Sequence, residues 1–269
     1  RICASMGFWE PHTSSIDFCE PNYLLTHYIA EPHNAFSSLS ISAFGLIGLL
    51  YGNPTNELRF IAMFCTFGAV GLGSFALHTT LGWFTQSLDE VPMLWVNLTY
   101  IYSLIEMETP KSEKRFRNLE WYFLIFAIVQ TIIYYQMRVL YLFFVVTYSA
   151  TAALVIIWAG TLALKKSVDS ELDSMCRMLF LRSITLYVVI GCVVWLLDMR
   201  SCDLLLPLYL ASPLGGATLH ILWHVGAGAG AHMMCVLLTM CRSRALGRPV
   251  SIRWIAGCVP VAVASGPPH

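Results

Sequence analysis

Long apolar runs separated by short polar breaks dominate the chain. They fall at residues 34–52, 59–79, 88–105, 119–135, 138–163, 178–197 and 217–240. Each is near the roughly 20 residues a helix needs to cross a bilayer. Backbone groups in hydrocarbon must be satisfied within their own segment, so the runs read as helices. Their connections are short. The pattern therefore predicts an all-α membrane protein, a single bundle of seven transmembrane helices. The boundary between the fourth and fifth runs, around Gln136, Met137 and Arg138, is the least marked. The chain divides into an N-terminal segment (1–33), the bundle (34–241) and a tail (242–269). Residues 1–33 hold no continuous apolar core and do not read as a signal peptide.

Composition agrees with the pattern. Hydrophobic residues make up 57% of the 269 and charged residues only 12%, about half the charge of a soluble domain. Basic and acidic residues balance at 16 each. No basic run suits a nucleic acid, which is excluded as a partner. The placement of charge is more telling than its sum. With seven spans, 13 of the 16 lysines and arginines fall on the side of the C-terminus. They cluster at Arg59, Lys111 to Arg117, Lys165 to Arg182 and Arg242 to Arg253, leaving Arg1, Arg138 and Arg200 on the other side. The positive-inside rule then predicts a cytosolic C-terminus and a lumenal or extracellular N-terminus.

Nine cysteines are scattered without a C-x-x-C pair. Cys65, Cys192 and Cys235 sit in apolar runs and read as small buried hydrophobes. Cys19 and Cys202 lie in loops on the predicted lumenal side, where a disulfide persists. On the residues alone they are either a bridge or two free thiols.

Polar groups inside the apolar runs carry the candidate chemistry. The stretch LGSFALHTTLGWFTQSLDE, 72–90, gathers Ser74, His78, Asp89 and Glu90. A charge at mid-bilayer costs about 2.5–3.5 kcal/mol, so such groups are functional candidates. Ser74 and His78 are four apart and share a helix face, as do His220 and His224 in LHILWH. Asp89 and Glu90 are read as opening the third helix. The second helix runs towards the lumen and the third and seventh run away from it. His78, Asp89, His220 and His224 thus fall at one depth. Three convergent histidines form a catalytic zinc ligand set with a position left for water. A His-x3-His pair supplies two ligands from one face. The blander alternatives are histidines bonded within the bundle, Ser74 bonded to its own helix and Asp89 as a helix cap. The convergence favours the metal site. His232, two turns beyond His224, is read as structural.

Asp17, Glu20, Asn22 and Glu31 form an acidic cluster in the N-terminal segment. With a backbone carbonyl they offer the oxygens a calcium ion takes, but the spacing is not that of an EF-hand. Taken alone, the cluster reads better as a solvated acidic turn.

The segments IDFCEPNY, IAEPHN, GSFALHTTL with QSLDE, and LHILWH together resemble the alkaline ceramidases. These are seven-helix zinc amidases of the endoplasmic reticulum and Golgi, within a superfamily shared with adiponectin-receptor-like proteins. The resemblance covers most of the chain. It implies hydrolysis of ceramide, drawn from the bilayer, to sphingosine and a free fatty acid. It implies zinc on His78, His220 and His224, with Ser74 holding the oxyanion and Asp89 transferring protons. It turns the acidic cluster into a calcium site of Asp17, the Phe18 carbonyl, Glu20, Asn22 and Glu31. It also favours the Cys19–Cys202 bridge. Two positions depart from the family pattern. Phe18 replaces a common tryptophan, and Pro32 and His33 stand where an aromatic pair usually follows the glutamate. The resemblance implies an endoplasmic reticulum or Golgi membrane, with the plasma membrane as an alternative. The competing class is a seven-helix lipid-sensing receptor or transporter with a structural zinc. Such a protein has no need of three histidines, a serine and an aspartate at one depth.

Overall fold

The computed structural model describes residues 7–137 and 141–265; Arg1 and Arg138 lie outside them. Helix α1 spans Pro32–Tyr51. Its first residue is proline, whose missing N–H is no loss in a first turn. The Glu20 carboxylate accepts the N–H of His33 at 2.8 Å and that of Asn34 at 2.8 Å, capping α1 from outside. Helix α2 spans Leu58–Thr80 and ends at Leu81 in the left-handed conformation, φ 46°. Helix α3, Trp83–Ile105, follows at once with Gly82 at its N-cap. It starts five residues earlier than the apolar run, because Gln86 and Ser87 break the run without breaking the helix. Asp89 and Glu90 therefore lie about two turns inside α3, and Asp89 is not a cap.

Helices α4 (Leu119–Gln136) and α5 (Tyr141–Ala163) come next. Helix α6, Ser170–Ile184, a π-helical segment Thr185–Cys192 and α7, Val193–Arg200, form one rod of 31 residues. This rod begins eight residues before its apolar run. Its polar first turns are held by Asp169, which accepts the N–H groups of Glu171 at 3.1 Å and Leu172 at 2.9 Å. A short helix α8, Cys202–Ala211, leads to α9, His220–Ala245. Five of the rods are long and apolar enough to cross a membrane: α1, α2, α5, the α6–α7 rod and α9. Helices α3 and α4 have 23 and 18 residues but dilute their apolar side chains with polar and aromatic ones.

Small residues let these rods meet. A Cβ at Gly73 would lie 1.9 Å from the Leu88 carbonyl oxygen, so α2 and α3 touch backbone to backbone just above Ser74 and Asp89. A Cβ at Gly230 would lie 2.7 Å from the Tyr187 nitrogen, which seats α9 on the π-helical segment. The apolar core packs Phe60, Phe64, Tyr100, Leu104, Leu237 and Leu238 between α2, α3 and α9. Cys235 is buried there, but Cys65 is exposed on the outer face of α2. In a lipid-facing helix apolar character does not separate inside from outside.

At one end basic residues stitch the connections together. Buried Arg242 donates to Glu57 at 2.9 Å and to the carbonyls of Met107 and Thr109 at 2.8 and 2.6 Å. Arg244 pairs with Asp173 at 3.2 Å and Lys165 with Glu108 at 2.8 Å. The tail is no featureless extension of this end. Residues 242–245 complete α9, and β1 (Val250–Ile255) and β2 (Val259–Ala264) form an antiparallel hairpin. The hairpin rests on α9 through His232 Nε2 and the Pro260 carbonyl, 2.8 Å apart. This gives His232 the structural place its isolation suggests.

Candidate metal centre and active-site cavity

At the opposite end α2 and α9 bring their histidines together. His78 lies two residues before the end of α2, and His220 and His224 occupy the first turns of α9. One ring nitrogen from each lies within 4.8 Å of the others, and all three side chains are buried. Ring centroids are 5.2 Å (His78–His220), 5.0 Å (His78–His224) and 4.6 Å (His220–His224) apart. His78 Nε2 and His220 Nδ1 are buried with no hydrogen-bond partner among the described residues. Orphaned buried nitrogens are costly, and a metal ion removes that cost. The residues fit a three-histidine metal site.

Outer partners fix two of the rings. Glu31 Oε2 lies 2.6 Å from His78 Nδ1. Ser37 Oγ lies 2.7 Å from His224 Nδ1. Each contact leaves the second ring nitrogen, Nε2, for the shared centre. Ligating histidines commonly use the other nitrogen in this way, and the partner sets ring orientation and basicity. In the sequence Glu31 stands out only as part of the acidic cluster, and Ser37 does not stand out at all. The signal available was weak, since Ser37 is one of three serines in four residues, Ser37 to Ser40.

Ser74 stands one turn before His78. Its hydroxyl lies 3.4 Å from His224 Nε2 and also contacts the Asp89 carboxylate. The close α2–α3 approach at Gly73 makes that contact possible. Ser74, Asp89, His220 and His224 all line a cavity of about 500 Å³ whose walls are otherwise mostly apolar. It continues down α9 past Ala227 and Ala231 to Met234. That is ten residues beyond His224, or about 15 Å of helix. Glu90 lines the same cavity, accepting from Gln86 at 2.8 Å and from the Tyr134 hydroxyl at 2.7 Å. Gln86 in turn accepts the Ser15 N–H at 2.8 Å, so Glu90 anchors the N-terminal segment.

That segment covers the histidines. The Phe18 ring packs on His78 at 4.7 Å and on His220 at 4.5 Å between centroids. Phe18 thus contributes its ring to the cover over the histidines, a role that an aromatic residue of either size fills. The disulfide Cys19–Cys202 ties the segment to the start of α8. Beside it, Asn22 Nδ2 is 3.5 Å from Asp17 Oδ1, and Asn22 Oδ1 and Glu31 Oε1 are buried without partners. Burial drives the Glu31 carboxyl well above its ordinary range, and Asp17 and Asp198 add to this despite the Asn34 hydrogen bond. Glu20 is pushed up to about 7 by burial and by Glu31, although His33 and Asn34 donate to it. Acids crowded with orphaned oxygens fit a hard cation, which supplies the missing charge and takes up the free lone pairs. Glu20 bears on α1 as well, since its two oxygens already accept the first N–H groups of that helix. The His33 ring also meets Glu20, its Nδ1 lying 2.9 Å from Oε1.

Comparison with known proteins agrees with this geometry. The family model described as Ceramidase matches residues 10–263. Alkaline ceramidase 3 of Mus musculus is 27% identical over 96% of this chain and 94% of its own length. An alkaline ceramidase of Arabidopsis thaliana is 27% identical over 94% of both chains. Alkaline ceramidase YPC1 of Saccharomyces cerevisiae is 29% identical over 86% of this chain and 78% of its own. With its histidine centre, its apolar cavity and a family match over nearly its whole length, the chain belongs to the ceramidase family.

Proposed function

We propose that this chain hydrolyses the amide bond of ceramide to sphingosine and a free fatty acid at a zinc centre held by His78, His220 and His224. The observation that carries the reading is the three-histidine cluster at the head of an apolar cavity, with Ser74 and Asp89 beside it. When bound, zinc supplies Lewis acidity and makes water a competent nucleophile near neutral pH. The remaining work falls to the protein. Asp89 would accept a proton from the attacking water and return it to the departing amine nitrogen. Ser74 would donate a hydrogen bond to the developing oxyanion, an interaction whose loss typically costs about 10²–10³ in rate. The apolar cavity receives a lipid chain from the bilayer.

The seven rods read as seven membrane spans, with α3 and α4 crossing beside the five more apolar ones. The basic end then faces the cytosol and the histidine end a lumen or the exterior. The protein reads as a multi-pass enzyme of the endoplasmic reticulum or Golgi. Residues 1–33 form a lumenal segment, 34–241 the catalytic bundle and 242–269 a cytosolic hairpin. Calcium on Asp17, the Phe18 carbonyl, Glu20, Asn22 and Glu31 would pin the N-terminal segment over the cavity. Glu31, which also touches His78, would couple the two metals.

The test measures bound zinc and ceramide hydrolysis on purified protein. His224→Ala is expected to lose both, and Asp89→Asn to keep zinc while losing hydrolysis. A wild type that binds no zinc and releases no fatty acid would leave the receptor or transporter reading instead.

A further inference from the structure

Asp198 is an acid in the apolar stretch VVWLLDMR of α7, and the hydrolysis described above does not use it. It is 0% exposed. The Tyr209 hydroxyl of α8 donates to its Oδ1 at 2.7 Å. Its Oδ2 is buried without a partner. The carboxylate faces the backbone N–H groups of Leu219, Cys19 and His220. Those groups belong to the first turn of α9 and to the disulfide. Helix α9 has 26 residues, and no side chain at its own N-cap takes up its first N–H groups. Thr218, just before it, is turned away and donates to Asn34 at 3.2 Å. The Leu219 N–H instead meets the Tyr209 hydroxyl at 3.3 Å. Tyr209, whose hydroxyl Asp198 holds, thus meets the N–H just before the helix that starts with His220, and the Asp198 charge lies behind that contact.

We infer that Asp198 is a positioning residue: it fixes the start of α9, and so sets His220 and His224 against His78. Two physical arguments separate this from ordinary packing. The unpaired N–H groups of a helix start carry about half a positive charge, which an anion neutralises best. A buried carboxylate with an unpartnered oxygen is also expensive. Tyr209 and the facing N–H groups could be met by a neutral amide at lower cost. What the amide lacks is negative charge next to the histidine cluster, and Asp198 also acts electrostatically on Glu31. The inference rests on the zinc reading for its consequence, but the anchoring of α9 does not.

The test uses the full-length protein with its disulfide intact, as Asp198→Asn and, separately, Tyr209→Phe. Zinc affinity is read by competition with a chelator. Hydrogen exchange of residues 219–224 is read in zinc-free protein, with α2 as the internal reference. Asp198→Asn is expected to weaken zinc about 10–100-fold, the usual effect of losing an outer partner. It is also expected to speed exchange in the first turn of α9 while α2 exchanges as in wild type. Tyr209→Phe, which keeps the charge, is expected to do both to a smaller degree. Unchanged zinc affinity together with unchanged exchange in Asp198→Asn would overturn the inference. So would faster exchange spread evenly over all helices, which marks a general loss of stability. If wild type itself takes no zinc, the zinc reading fails, and the exchange data alone decide whether Asp198 anchors α9.

Discussion

His224 has one ring nitrogen held by Ser37 and the other beside Ser74. That arrangement makes Ser37 a sensitive probe, because it touches the ring without lining the cavity. Ser37→Ala is expected to lower zinc affinity by about 10–100-fold, with hydrolysis restored by excess zinc. Zinc content after dialysis, with activity measured across added zinc, checks this. Neither the serine's spacing nor its neighbours marked it, since its partner is 187 positions away. The three histidines were legible because each sits in an apolar run where a polar ring needs a reason. Asp89 was legible for the same reason, although its position in the helix was misread. Glu31 was legible as an acid but not as the partner of His78.

Helix packing sets the distance between these groups. The contact of Ser74 with Asp89 depends on α2 and α3 approaching at Gly73, where a Cβ would meet backbone atoms at 1.9 and 2.3 Å. Backbone cannot rotate away as a side chain can. Gly73→Ala is therefore expected to force the helices apart and destabilise by about 3 kcal/mol or more, at or beyond the upper end of overpacking costs. Hydrolysis should fall further than stability does, because the two residues separate. Thermal melting together with activity at a temperature where the variant stays folded distinguishes the effects. The start of α3 shows why element boundaries were less legible than elements. Gln86 and Ser87 look like a break in an apolar run, yet Gln86 bonds Glu90 and the Ser15 backbone, and Ser87 lies 2.9 Å from the Tyr135 hydroxyl. Polar residues with partners inside the bundle do not end a helix.

The whole molecule separates its chemistry by end. The three-histidine cluster, the N-terminal acids and the disulfide occupy one end, and the arginine-linked connections occupy the other. Glu57 lies at the basic end, outside the apolar rods. Burial raises its carboxyl, but hydrogen bonds from Arg242 and Arg59 outweigh this and hold it below its ordinary 4.5. A carboxyl depressed in the folded state stabilises the fold above the unfolded value and loses that contribution as pH falls through the folded one. The melting temperature is thus expected to drop as pH falls below about 4.5, the unfolded value for glutamate. Glu57→Gln should lower it at pH 7 and remove much of the further drop. Melts of both proteins from pH 7 to about pH 2.5, across the range below 4.5, check the sign. If the variant and wild type fall in parallel through the acid range, Glu57 is not a source of the acid sensitivity.

The linear pattern of apolar and polar residues determined that the chain is a helical membrane protein. It also determined which few polar side chains sit where only function or a partner justifies them. Those are local matters of hydropathy, helix period and the cost of burying charge. The tertiary structure alone decided which partners those side chains meet. It gave Glu31 to His78 and Ser37 to His224, laid the Phe18 ring over the histidines, folded the tail into a hairpin and, for Cys19 and Cys202, settled as a bridge what the residues alone left open and the resemblance favoured. Apart from the local hairpin, these contacts depend on how segments distant in sequence pack side by side. That packing is set by the close fit of small residues such as Gly73 and Gly230, which a one-dimensional apolar pattern does not encode.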